Sequence, residues 1–207
     1  MNESNNNNNN IYGVFENKKT KKKLVYYPCP KNANSSAKLF FTKHLGIDNK
    51  FVFLSDNKPE NQLSMSDFGD KFNLVGFLPA KQKFTLMPKE YLKCCITRDP
   101  IDRFISAYKN RILFHKDEDF NNHSIDQILT KLENNKFENK HFLPQTFFLG
   151  NNLNYYDFYA DISNISKFEK NVNIFFDKKI NFPKIQTGGY EFDFKLNNNE
   201  IKRIKTI

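Results

Sequence analysis

The stretch Tyr91-Leu92-Lys93-Cys94-Cys95-Ile96-Thr97-Arg98-Asp99-Pro100-Ile101-Asp102-Arg103-Phe104-Ile105-Ser106 decides the fold. Residues 91–97 are apolar or β-prone apart from Lys93. A nearly continuous apolar run of that kind reads as a strand interior to a sheet that is covered on both faces. Asp99 and Pro100 then start a helix, with Asp as N-cap, Pro at the first helical position and Asp102 near the positive end of the helix dipole. Ile101, Phe104 or Ile105, Tyr108 and Ile112 continue at helical spacing. The result is strand, short turn, helix.

The same unit occurs earlier in the chain. Residues 24–27 (Leu-Val-Tyr-Tyr) are β-prone and stop at Pro28 and Pro30, neither of which can donate to a central ladder. From Ser35 or Ser36 onward, Ala37, Phe40, Phe41 and Leu45 recur at helical spacing, and Gly46 stands where a C-cap glycine belongs. Residues 51–54 and 74–78 read as further strands. Ser124 and Gln127 form a capping box ahead of Ile128, Leu129 and Leu132. Residues 155–159 and 172–176 are strand-like, and residues 200–207 look like the start of a helix. Alternating strands and helices predict an α/β fold with a mainly parallel central sheet flanked by helices.

Length and composition set bounds on this reading. A chain of 207 residues, 39% hydrophobic and with 23 Phe, has the material for one domain with a real core. Residues 1–22, an Asn tract followed by a Lys-rich stretch around a short apolar segment, are read mostly as a low-complexity tail, and residues 23–207 as the domain. The net charge of +9 favours an anionic partner. The three Cys (Cys29, Cys94, Cys95) show neither Cys-x-x-Cys nor Cys/His ligand spacing, so a disulfide framework and a zinc site are both unsupported. There is no apolar signal core and no stretch as long as a membrane span, which leads to the expectation of a cytoplasmic protein without a transmembrane segment.

Two segments carry chemistry. Lys31-Asn32-Ala33-Asn34-Ser35-Ser36 lies between a strand and a helix, where backbone N–H groups, hydroxyls and a lysine suit an oxyanion. The Gly-x-x-x-x-Gly-Lys-Ser/Thr pattern that a phosphate-transferring nucleotide site would show is absent. The alternative is that Ser35 merely caps the helix and Lys31 is solvated. In the second segment Arg98 closes a strand and Ser106 lies on the next helix, on the face of Asp102 and Arg103. Together they suit a phosphate, with Arg98 as bidentate donor and Ser106 as hydroxyl donor; the alternative is a structural ion pair of Arg98 with Asp99 or Asp102.

Taken together, Pro30-Lys31 with Ser35-Ser36, the run from Arg98-Asp99-Pro100 through Arg103 to Ser106-Ala107-Tyr108, and His141-Phe142-Leu143-Pro144-Gln145 followed by Tyr156-Asp157-Phe158 resemble the carbohydrate sulfotransferases of the chondroitin and HNK-1 type. The resemblance runs over residues 24–207. It implies a P-loop-NTPase-like sulfotransferase fold related to nucleotide kinases, and 3′-phosphoadenosine-5′-phosphosulfate (PAPS) as sulfonate donor; no metal is expected, because the lysine and the loop amides already supply the charge. Residues matching Lys31, Asn32, Ala33, Asn34, Ser35 and Ser36 would wrap the phosphosulfate, and those matching Arg98 and Ser106 would hold the 3′-phosphate. It further implies a glycan or glycolipid acceptor. Lys31 is then the candidate for the charge gathering on the leaving phosphate, and His141, with an ordinary pKa of about 6.5, the candidate base. A His141 that only packs beside Pro144 is the alternative. Family members usually continue past the point matching Ile207, so the chain reads as truncated or as a minimal version. A basic nucleic-acid-binding module is disfavoured, because the Phe residues fall in periodic apolar stretches and no reader signature is visible.

Overall fold

The computed structural model describes residues 13–46, 88–118, 120, 122–134, 139–184 and 195–207. Among them, four strands form one sheet in the order β1 (Gly13–Glu16), β2 (Lys23–Tyr27), β3 (Leu92–Thr97), β4 (Phe158–Asp161). β1 is an antiparallel edge, whereas β2, β3 and β4 are parallel. Among the described residues six α-helices accompany them: α1 (Asn34–Leu45), α2 (Pro100–Tyr108), α3 (Ile125–Glu133), α4 (Gln145–Leu149), α5 (Ile165–Phe176) and α6 (Asn198–Thr206). The fold is mixed α/β, a sheet flanked by helices.

Alternation along β2 and β3 sends side chains to two separate cores. Tyr26, Cys94 and Ile96 pack with Phe40 and Phe41 of α1 and Phe168 and Val172 of α5. Val25, Tyr27 and Cys95 pack on the other face with Phe148 and Leu149 of α4 and with Tyr156. Cys94, Cys95 and Ile96 are accordingly fully buried, as an apolar run covered on both faces requires. Each fully buried Phe in these layers contributes about 1.5–3 kcal/mol. A third cluster joins α2, α3 and α6 through Phe104, Tyr108, Ile128, Leu129 and Ile204. Arg203 of α6 adds ion pairs to Asp126 and Glu133 of α3.

The helix signals act as read. Asp99 caps α2, its Oδ1 accepting from the amides of Ile101 at 2.9 Å and Asp102 at 3.1 Å. Gly46 ends α1 at φ 72°, a left-handed position where a side chain is strained. Ser124 and Gln127 close the capping box of α3.

Three expectations are corrected. The stretch read mostly as tail contributes a strand: Gly13–Glu16 pairs with β2, and Phe15 stacks on Phe41 at 4.2 Å. Residues 172–176 are helical, because Ile165, Phe168, Val172, Phe175 and Phe176 share one face against the sheet; the β-prone run Val172–Phe176 was too short to fix its period. The strand expected at 155–159 is Phe158–Asp161, since Tyr155 sits in a 3-10 turn with its ring and hydroxyl on Tyr27. The strands expected at 51–54 and 74–78 lie outside the described residues. Among the described residues no helix is long and apolar enough to cross a membrane.

Candidate active site

In a parallel sheet, ligand sites form outside the carboxyl ends of the strands. Tyr27 is in register with Cys95, and Thr97 with Asp161, so the loops after β2, β3 and β4 leave from one edge. The loop after β2 turns sharply, with Lys31 at φ 69° and Ala33 at φ 55°. Left-handed backbone at two non-glycine residues is strained and persists only where surrounding contacts hold it.

Those contacts come from the second segment. Arg98 Nη1 donates to the Lys31 carbonyl at 3.0 Å, joining residues 67 apart in sequence. Arg103, only 4% exposed, donates from Nε to Pro30 O at 2.9 Å and from Nη1 to Leu143 O at 2.7 Å. Asn32 is fully buried, and its Nδ2 donates to Ile96 O at 2.8 Å and Gln145 Oε1 at 2.7 Å. Gln145 also accepts from the Arg98 amide at 3.0 Å and donates to the Arg98 carbonyl at 2.6 Å. The two halves of the predicted donor site are thus one assembly.

Both bland alternatives can be judged on this geometry. Ser35 does not cap α1: the N-cap is Ala33, no side chain caps the helix, and no acidic residue stands in its first turn. The positive end of that helix therefore meets no carboxylate from its own first turn. Arg98 makes no ion pair with Asp99 or Asp102 among the described residues, and its Nε has no hydrogen-bond partner. Asp99 is occupied in capping α2.

Positive charge converges here. Lys31 Nζ donates to Asn110 Oδ1, in the π-helical turn Lys109–Phe114 that continues α2. Burial, followed by Arg111, Arg98 and Arg103, lowers the Lys31 pKa from 10.5 to about 8, with Asp117 opposing. Arg111 is itself paired with Asp117 at 2.6 Å. His141 is half-buried with Nδ1 unpartnered, and burial together with Lys31, Arg111, Lys140 and Arg103 lowers its pKa from 6.5 to about 3. The histidine is neutral, with a lone pair to accept a proton, and burial first, then the surrounding cations, make it a weak base. Lys38 on α1 is likewise lowered by burial and by Lys140.

The remaining sequence candidates fall at the same edge. Asn34 and Ser35 are half-buried and Ser36 is buried in the first turn of α1; the Asn34 Oδ1 has no partner. Ser106 is half-buried on α2, one turn beyond Arg103, but no hydrogen bond joins it to Arg98 among the described residues. Asn32 departs from expectation: its amide is turned into the sheet rather than toward a ligand. Arg103, Asn110, Arg111 and Gln145 were not singled out as site residues. Arg103 and Gln145 stand inside the motif stretches and Asn110 two residues beyond one, so proximity in sequence could have flagged them; Arg111 had no signal beyond its charge. Among the described residues no group of three or more His, Cys, Asp or Glu is placed to hold a metal ion.

A stable acid response follows from the histidines. Burial and Lys178 lower the His44 pKa from 6.5 to about 4, and His141 is lower still. Both groups bind protons more readily unfolded than folded, so their contribution to stability is complete above pH 6.5 and is lost as pH falls from there toward 4 and 3. Denaturant midpoints measured from pH 7 to pH 4 are expected to fall, and the fall is expected to be smaller in His44→Phe; an unchanged slope in that variant would remove His44 from the account.

A mixed α/β protein with cations gathered in the loops at the carboxyl edge of its parallel strands is the class that fold and site define. The chain belongs to the sulfotransferase family, whose model matches residues 17–203, and is thereby a transferase of sulfonate groups. No curated protein and no solved structure matches it.

Proposed function

We propose that this protein transfers the sulfonate group of PAPS to a hydroxyl of a carbohydrate, on a glycan or a glycolipid. The observation that carries the reading is the set of cations Lys31, Arg98, Arg103 and Arg111 gathered beside the start of α1, whose first turn holds no acidic residue. Lys31 loses part of its basicity first to burial and then to Arg111, Arg98 and Arg103, and an anion beside them favours its charged form. The residues fit such a donor: the Arg98 Nε lacks a hydrogen-bond partner, and no side chain caps the start of α1.

Residues 31–36, acting as a P-loop-like cradle, would hold the phosphosulfate, and Arg98 with Ser106 the 3′-phosphate. The donor supplies an activated sulfonate. Lys31 stabilises the negative charge that develops on the 5′-phosphate as its bond to sulfur breaks. His141 takes the proton from the acceptor hydroxyl as the oxygen bonds to sulfur. Donor binding supports that step, because an anion among Lys31, Arg111 and Arg103 offsets the field that lowers the His141 pKa.

Thermal shift tests the donor assignment. The product 3′-phosphoadenosine-5′-phosphate is expected to raise the melting temperature, by the equivalent of about 2.7 kcal/mol at a hundredfold excess over Kd. ATP and ADP, which lack the 3′-phosphate, are expected to do much less. Equal stabilisation by ATP, or none by the 3′-phosphorylated nucleotide, would sink the reading. Glycan acceptors are then screened with labelled sulfonate.

A further inference from the structure

We propose that Gln145 is a positioning residue whose side-chain amide holds the donor loop, the Arg98 turn and the His141 segment in one register, so that donor binding depends on it. The inference rests on the donor reading above and deepens it.

The geometry is that of a missing strand partner. Arg98 follows the last residue of β3, beyond the point where pairing with β4 ends at Thr97 and Asp161, so its peptide groups leave the ladder. Gln145 grips both of them, accepting from the amide at 3.0 Å and donating to the carbonyl at 2.6 Å. A primary amide presents a donor and an acceptor side by side, as a neighbouring strand does. The backbone at Arg98 is thereby held, and with it the origin of the guanidinium that reaches the Lys31 carbonyl.

The same Oε1 accepts from Asn32 Nδ2 at 2.7 Å. Asn32 lies between the two left-handed residues Lys31 and Ala33, so this bond and the bond to Ile96 O hold the strained loop against the sheet. Gln145 itself is well anchored. It follows Pro144 at the first turn of α4, whose Phe148 and Leu149 are buried at 1% and 2% exposure. Four residues before it stands His141. Arg103 makes the parallel staple from Pro30 to Leu143.

Only an amide meets these demands. Glutamate would set a carboxylate oxygen against the Arg98 carbonyl, and leucine would remove the partner of the Arg98 amide and carbonyl and one of the two acceptors of Asn32 Nδ2.

The test uses the full chain carrying Gln145→Leu or Gln145→Glu, with 3′-phosphoadenosine-5′-phosphate titrated by calorimetry and steady-state kinetics on both substrates. Each variant is expected to weaken nucleotide binding about tenfold or more and to raise donor KM in proportion, with acceptor KM unchanged. Asn32→Ala placed on Gln145→Leu is expected to cost much less than the product of the two single effects, since both remove one hydrogen bond. Wild-type nucleotide affinity and donor KM in Gln145→Leu would overturn the proposal. So would fully multiplicative effects of the pair. A lowered melting temperature with unchanged donor KM in the surviving enzyme would likewise overturn it, as the mark of a merely structural residue. If Gln145→Leu does not fold, the nearly isosteric Gln145→Glu decides the matter by the same two quantities. A wild-type protein indifferent to the nucleotide would overturn the donor reading itself.

Discussion

Lys31→Ala is expected to lower turnover about 10²–10³-fold, the usual loss when one preorganised contact to developing negative charge is removed. Donor affinity should fall about tenfold or more in the same variant and in Arg98→Ala, since each loses a charge-assisted bond. Stability should move the other way in Lys31→Ala. The ammonium is largely buried among Arg111, Arg98 and Arg103, which together with burial bring its pKa to about 8. Removing it relieves desolvation and like-charge repulsion, so a melting temperature at or above wild type should accompany the lost activity. This separation distinguishes a functional lysine from a structural one. Wild-type turnover in Lys31→Ala, or a large drop in melting temperature as the whole effect, would defeat the assignment.

The pH response of Lys31 has a definite sign. Folded, it titrates near 8; unfolded, near the ordinary 10.5. The unfolded chain therefore binds more protons between those values, and the cost of holding the buried charge is relieved as pH rises from 8 to 10.5. Donor affinity runs opposite, because the neutral amine no longer attracts an anion: it should decline as pH rises through about 8. A flat affinity between pH 7 and pH 9.5 would show that Lys31 does not meet the donor.

His141→Ala is expected to lower turnover about 10²–10⁴-fold while leaving binding of 3′-phosphoadenosine-5′-phosphate nearly unchanged. The pH profiles separate free and loaded enzyme. With the free-enzyme pKa near 3, the acid limb of kcat/KM should not sit at the ordinary imidazole value of 6.5. In kcat, which reports the loaded enzyme, the limb should move upward, because the anionic donor compensates Lys31, Arg111 and Arg103. Unchanged turnover in His141→Ala would leave the ring a packing residue of the Phe142–Gln145 turn.

Much of this was legible from residue order, and the reason differs from element to element. β3, α1 and α2 were readable because their signals are local: an unbroken apolar run, a C-cap glycine, and an Asp-Pro helix start whose carboxylate bonds the next two amides. The helix Ile165–Phe176 was less so, since its last five residues are β-prone and only the sheet beneath Phe168 and Val172 selects the helical period. β1 was hidden in a Lys-rich stretch because an edge strand needs a partner more than an apolar pattern, and its partner begins seven residues after it ends.

The site divides along the same line. By itself the order of residues determined where cations and hydroxyls follow strands, and so that Lys31, Ser35, Ser36, Arg98 and Ser106 could serve an anion. Only the tertiary structure decided which cations make no ion pair among the described residues, because Asp99 and Asp117 could equally have taken Arg98 or Lys31 and instead cap α2 and pair Arg111. It also decided the histidine's basicity, which depends on burial and on Lys31, Arg111, Lys140 and Arg103 arriving from other segments. And it gave Gln145 its place, since a glutamine's amide means nothing until folding sets it against a backbone 47 residues away. Electrostatic fields and buried hydrogen bonds act through space, and the spacing along the chain does not encode them.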